Sequence, residues 1–142
     1  MRTIKFRGKR LDNGKWLYGN LVELRNPFNP NDAPACFIMP KEVNIAAPDS
    51  IAEQEVVIPD TVGQFTGLLD KNGQEIYEGD IVANDFGNAY IVNMAVEWCT
   101  DGYWALHEID GDDTMHFVAD YLKEIELIGN IHDNPELLKQ NE

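Results

Sequence analysis

A chain of 142 residues fits one ordinary domain with at most a small appendage, and it buries enough of its own surface to fold without a metal or disulfide staple. Its hydrophobic content of 44% and aromatic content of 10% exclude global disorder. A formal net charge of −14 repels nucleic-acid phosphates and anionic membranes at long range, so neither is an expected partner.

The amino-terminal stretch MRTIKFRGKR is charged and has no apolar core, so no signal peptide is expected. No run approaches the length of a membrane span and no Asn-x-Ser/Thr acceptor occurs, which together point to a cytoplasmic protein. The two cysteines, Cys36 and Cys99, lie far apart and form no C-x-x-C pair; two reduced thiols packed as small apolar side chains are expected.

In chain order, Ile4 and Phe6 alternate with Thr3, Lys5 and Arg7, the period of a half-buried strand. Asp12-Asn13-Gly14 follows, and Asn-Gly predicts a hairpin whose second arm is Lys15 to Leu24. Residues 25–35, with three prolines and three asparagines, predict a loop. Cys36 to Met39 is a short apolar run closed by Pro40, and Glu55 to Ile58 reads as a strand. Between them the signals weaken, so residues 25–61 form a long, loosely specified region of the kind that carries function.

From Thr61 the pattern sharpens. Val62 to Leu69 leads into the turn Asp70-Lys71-Asn72-Gly73, then Gln74 to Tyr77, a Glu78-Gly79-Asp80 corner, and Ile81 to Ala83. Gly63, Gly67, Gly73 and Gly79 recur at the spacing of sharp bends in a small barrel. Tyr90, Val92, Met94, Val96 and Trp98 predict one face of the best strand in the chain. Thr100-Asp101-Gly102 turns it into Tyr103 to Ile109, and Asp110 to Asp113 turns again into Met115 to Val118. A last strand is expected over Glu124 to Ile131. Asn134 and Pro135 then predict the N-cap and first position of a short helix packed through Leu137 and Leu138. Eight or nine short strands make the fold mainly β, a barrel or sandwich.

The segment Thr61 to Leu68, together with Asp70-Lys71-Asn72-Gly73, Ile76-Tyr77-Glu78-Gly79-Asp80 and Ile81-Val82, resembles the signature of the YopX family. Ile4 to Gly8 with Trp16 to Gly19, and Ile128 to Ile131 with Asn134 to Leu138, resemble the two ends of that family. Residues 25–60 and parts of 84–123 carry no resemblance. The resemblance implies a protein encoded by a bacteriophage or prophage, acting in a bacterial host. It also implies an SH3-like barrel or roll, here with the amino-terminal hairpin as an extension and the short helix at the carboxyl end. Residues 1–61 are then the hairpin and long-loop region, and residues 62–142 the barrel region, packed as one compact unit. The family brings no assigned activity, cofactor or catalytic residue.

No constellation for catalysis emerges from the residues, and no cofactor is expected. His107 to His116 is the densest polar cluster. Asp110, Asp112, Asp113 and His116 are candidate ligands for a divalent cation in a metal-dependent hydrolase, although the spacing is not that of an EF-hand and the same residues are ordinary turn formers. Ser50, the only serine, lies in no nucleophile elbow. Cys99 and His107 could approach across the hairpin, but a reactive thiol wants an electropositive setting. Trp98, Tyr103 and Trp104 could stack bases; between residues 72 and 122, however, there is no Lys or Arg to hold phosphates.

The distribution of charge carries more information. Residues 1–25 hold seven basic residues against two acidic ones, a balance of +5, whereas residues 26–142 hold four against 23, a balance of −19. Opposite charges on separate stretches attract, which makes Arg2, Lys5, Arg7, Lys9 and Arg10 the candidate interaction residues. The expected function is a non-enzymatic, self-assembling interaction module that forms a homo-oligomer and engages a host or phage protein. The alternative to the metal-dependent hydrolase and to this module is a DNA mimic that inhibits a host DNA-binding protein. Duplex DNA carries a charge about every 1.7 Å, so −14 would match a stretch on the order of 24 Å.

Overall fold

A computed structural model describes residues 2–39, 56–84, 91–117 and 123–138. The chain divides into two units, Met1–Gln64 and Phe65–Glu142. The boundary falls inside a strand, because Gly63 and Gln64 pair with Arg7 and Phe6 whereas Phe65 pairs with Tyr77.

The first unit is an antiparallel sheet. Its strands are β1 (Phe6–Lys9), β2 (Trp16–Leu24), β3 (Ala35–Met39), β4 (Val56–Val57) and the first residues of β5 (Gly63–Leu69), in the spatial order β4-β3-β2-β1-β5. The predicted Asn-Gly hairpin forms, with the Lys15 N–H donating to Asn13 Oδ1 at 3.0 Å and the Gly14 N–H to the Arg10 carbonyl at 2.9 Å. Cys36, Ile38 and Val57 are its buried core, with Phe6, Leu17, Leu21 and Val62 packed against them. The sheet approaches itself closely at Gly8, where a Cβ would sit 2.9 Å from Val57 Cγ2. Thr61, in a 3-10 turn over Pro59–Thr61, ties two segments: its hydroxyl donates to the Ile58 carbonyl at 2.6 Å and accepts the Lys9 N–H at 2.9 Å.

The second unit continues β5 into β6 (Glu75–Tyr77). It then builds a sheet from β7 (Asp80–Asn84), β8 (Val92–Cys99), β9 (Tyr103–Glu108), β10 (Thr114–His116) and β11 (Ile125–Asn130), in the order β10-β9-β8-β7-β11. The strict alternation read in β8 sets the register: Met94 and Val96 face a core shared with Ile76, Val82, Leu106, Phe117 and Ile125. Tyr90 of that predicted face lies outside the described residues. At the Glu78-Gly79-Asp80 corner, Gly79 adopts φ +88°, and its N–H donates to the Val96 carbonyl while its own carbonyl accepts the Ile131 N–H, both at 2.9 Å. Buried Asp80 caps the corner by accepting the Tyr77 N–H at 2.7 Å.

Two expectations are corrected. The mainly β fold is observed as two antiparallel sheets, and no closed barrel is found among the described residues. The outer edge of β11 meets the Asp70 turn. The Lys71 N–H donates to the Ile125 carbonyl, and Asp70 Oδ2 accepts the Leu127 N–H, both at 3.0 Å. The expected carboxyl-terminal helix is only a 3-10 turn, Pro135–Leu138. Asn134, expected to cap a helix, instead accepts the Asn130 N–H on Oδ1 at 3.2 Å, and the Leu137 N–H closes back onto the Asn134 carbonyl at 3.0 Å. Among the described residues no helix is long and apolar enough to cross a membrane.

Candidate functional site

Strand alternation decides which of the five candidate cations reach the surface. β1 and β2 pair Lys9 with Trp16 and Arg7 with Tyr18, so all four share a face. The Arg7 guanidinium lies 4.5 Å from the centroid of the Trp16 ring and the Lys9 ammonium 5.7 Å from it. Arg7 is only 5% exposed, so it contributes little to a docking surface. Arg10 grips Asp12 through Nη2 at 2.6 Å and Nε at 2.9 Å, and this fork holds the Asp12 carboxyl below its usual range. What stays outward is the arm that precedes β1: Arg2 is exposed, Ile4 is 50% exposed and Lys5 is half-buried.

The acidic turn does not assemble as a metal site. Asp110, Asp112 and Asp113 are exposed, and the Asp113 carbonyl is spent on the Glu108 N–H at 2.9 Å. His116 stacks on the Tyr103 ring at 3.7 Å, while His107 Nδ1 lies 2.8 Å from Thr114 Oγ1. Among the described residues, no group of three or more His, Cys, Asp or Glu is placed to hold a metal ion. Cys99 pairs with Tyr103 and His107 with Ala95, four residues apart along β8 or about 13 Å, so the considered Cys–His pair does not form. Both cysteines are free thiols; Cys36 is buried, and that burial pushes its thiol pKa up.

The three aromatics at the β8–β9 hairpin separate onto two faces. Trp98 and Trp104 are directly opposite each other, edge to face, with ring centroids 4.9 Å apart. Trp104 packs against the core cluster, whereas Trp98 is 51% exposed. Tyr103 lies on the other face with His116. A hydrogen bond with Cys99, then desolvation and the charge of Asp101, hold its hydroxyl above the usual value.

Two residues escaped the sequence reading. Phe28 stands 96% exposed in a loop organised by Asn26, Asn29 and Asp32, with Asn29 Nδ2 donating to Asp32 Oδ1 at 2.8 Å. Nothing local distinguishes a loop Phe that turns outward from one that folds back. Asn84 is fully buried between Ile125 and Val92, and neither atom of its amide has a hydrogen-bond partner among the described residues. No sequence signal marks that position, because β7 reads as any other apolar strand.

Turn-rich antiparallel sheets, a basic amino-terminal segment and an acidic remainder define a mainly β protein. The family model described as YopX protein matches residues 5–139, and the chain belongs to the YopX family. It is similar to the crystal structure of protein EF1440 from Enterococcus faecalis, at 27% identity and a TM-score of 0.59, covering 98% of this chain and all (100%) of that one. No curated protein matches the chain.

Proposed function

We propose that the chain is a non-enzymatic interaction protein that assembles with itself, the basic segment of one copy meeting an acidic surface of another. The observation that carries this reading is the segregation of charge, +5 over residues 1–25 and −19 over the rest. A single-sign field of that size on most of the chain repels its own copies, and a segment of opposite sign offsets the repulsion where the two meet. Support also comes from the exposed Arg2 and Ile4, which offer a cation and an apolar contact on one arm. The further partner is a host or phage protein in the bacterial cytoplasm, in keeping with the phage or prophage setting that the family resemblance implies.

Sedimentation of the purified chain at about 50 mM and about 500 mM salt tests the reading, because the Debye length beyond which exposed charges are screened falls from roughly 14 Å to roughly 4 Å between them. An oligomer at low salt that dissociates at high salt supports it. A monomer under both conditions refutes it. If that monomer captures DNA-binding proteins from a host lysate, DNA mimicry takes its place.

A further inference from the structure

The self-assembly reading above leaves open which acidic surface receives the basic arm, and the outer edge of β10 has the chemistry for it. β10 stands at the end of the second unit's sheet, and no described strand pairs with its outer side. Two backbone bonds that flank it fix its orientation: the Glu108 N–H donates to the Asp113 carbonyl at 2.9 Å, and the Phe117 N–H to the Trp104 carbonyl at 2.8 Å. Antiparallel ladders alternate, so Asp113, Met115 and Phe117 turn their backbone groups towards β9. Thr114 and His116, both exposed, turn theirs outward. Such an edge is a template for one more strand.

The charges beside that edge are placed by the chain itself. Asp112 and Asp113 are exposed and immediately precede Thr114, and Asp110 is exposed in the same turn. Glu108 lies opposite Asp113 through their backbone bond. Residues 91–117, all of them described, contain no Lys or Arg to neutralise these carboxylates. A strand that adds here is therefore selected for positive charge.

The chain has one segment that fits. Arg10, Arg25 and Lys71 are engaged by nearby carboxylates, those of Asp12, Glu23 and Glu126, and Arg7 is buried. The arm Arg2–Lys5 lies outside any strand, carries two cations and no carboxylate, has no proline to interrupt pairing, and exposes Arg2 and Ile4. We infer that the arm of one copy adds as an extra strand to the outer edge of β10 in a second copy, its backbone pairing with Thr114 and His116 and its Arg2 guanidinium beside Asp112 and Asp113. This inference rests on the self-assembly reading and names its two contacting surfaces.

Arm and edge are different patches, so a copy that lacks one still offers the other. Thr114→Pro removes an outward N–H and leaves the bonds to β9 in place, because proline is tolerated on an edge strand whose N–H faces solvent. Thr114→Val keeps that N–H and is the control. The test is sedimentation of these two variants and Arg2→Glu at about 50 mM salt, with Thr114→Pro and Arg2→Glu also mixed in equal amounts. Thr114→Pro and Arg2→Glu should each dissociate at least about tenfold more readily than the wild type, and Thr114→Val should match it. The mixture is expected to recover a complex, because Thr114→Pro supplies an intact arm and Arg2→Glu an intact edge. Amide hydrogen exchange of the wild type gives a second reading that needs no variant. The Thr114 and His116 N–H groups should be protected at about 50 mM salt and exchange at about 500 mM, while Met115 stays protected at both. If Thr114 and His116 exchange equally fast at both concentrations in a chain that still assembles, the edge is refuted while the charge-driven reading stands. If the wild type is monomeric at every salt concentration, both fall.

Discussion

Replacing Asp70 by alanine is expected to remove the tie that holds the edge of the second unit's sheet. Asp70 is 5% exposed, and its carboxylate accepts three backbone N–H groups: Asn72 at 2.8 Å and Gln74 at 2.9 Å on Oδ1, and Leu127 at 3.0 Å on Oδ2. Asn72 and Gln74 lie exposed in the turn, and water replaces the lost acceptor at small cost. The half-buried Leu127 N–H is different, and losing a charge-assisted bond there costs about 1.5–3 kcal/mol. With a few tenths for the loosened turn, Asp70→Ala is expected to lose about 2–3 kcal/mol of a stability of order 5–15 kcal/mol. The urea midpoint should fall with an unchanged slope.

The pH dependence of the same variant supplies a second readout. Burial alone would raise the pKa of Asp70, but hydrogen bonds from Leu127, Gln74 and Asn72, with Lys71 nearby, leave it below the ordinary value of 3.8. The unfolded chain therefore takes up this proton first as the pH falls. The stabilisation is complete well above the ordinary carboxyl pKa and is lost as the pH drops through it towards the folded value. The gap between wild type and Asp70→Ala should be full at pH 7 and should shrink below roughly pH 4. In Asp70→Asn one oxygen becomes an NH2 group that faces either the Leu127 N–H or the pair of turn donors, so a loss close to that of alanine is expected. A urea midpoint within error of wild type for both variants, or a gap constant from pH 7 to acid, would refute the reasoning.

Asn84→Leu should stabilise the chain by about 1–2 kcal/mol, because the buried amide carries a desolvation cost that no partner among the described residues repays; thermal melts read this directly. Gly8→Ala should destabilise by about 1–3 kcal/mol, since its Cβ would meet Val57 Cγ2 at 2.9 Å, and Val57→Ala in the same chain should recover part of that loss in a double-mutant cycle. Of the two thiols, half-buried Cys99 should react with a thiol reagent in the native protein. Cys36, 5% exposed and held protonated by burial, should react only on unfolding, as a stopped-flow trace in rising urea would show.

Local chemistry made the turns and strands legible before any tertiary contact was known. Asn13-Gly14 and Asn72-Gly73 specify tight reversals through backbone conformations that few residues tolerate, and the alternation of Val92 to Trp98 assigns its two faces without knowledge of the partner strands. Asp80 likewise caps the corner within its own segment, three residues from the N–H it accepts. The charge split could also be read directly, since it depends on order along the chain alone.

Long-range pairing decided the rest. Arg7 and Arg2 look equivalent in the sequence, yet the register that sets Arg7 beside Trp16 buries one and leaves the other outside. Asp110, Asp112, Asp113 and His116 crowd together along the chain, but the β9–β10 register sends His116 to stack on Tyr103 and leaves the carboxylates in solvent. Asp70 reaches a strand 57 residues away and accepts a backbone N–H at the outer edge of β11. Side-chain periodicity and turn preference act over a few residues. Which edge is filled and which cation is buried depend on contacts between segments that are distant in the chain, and those exist only once it has folded.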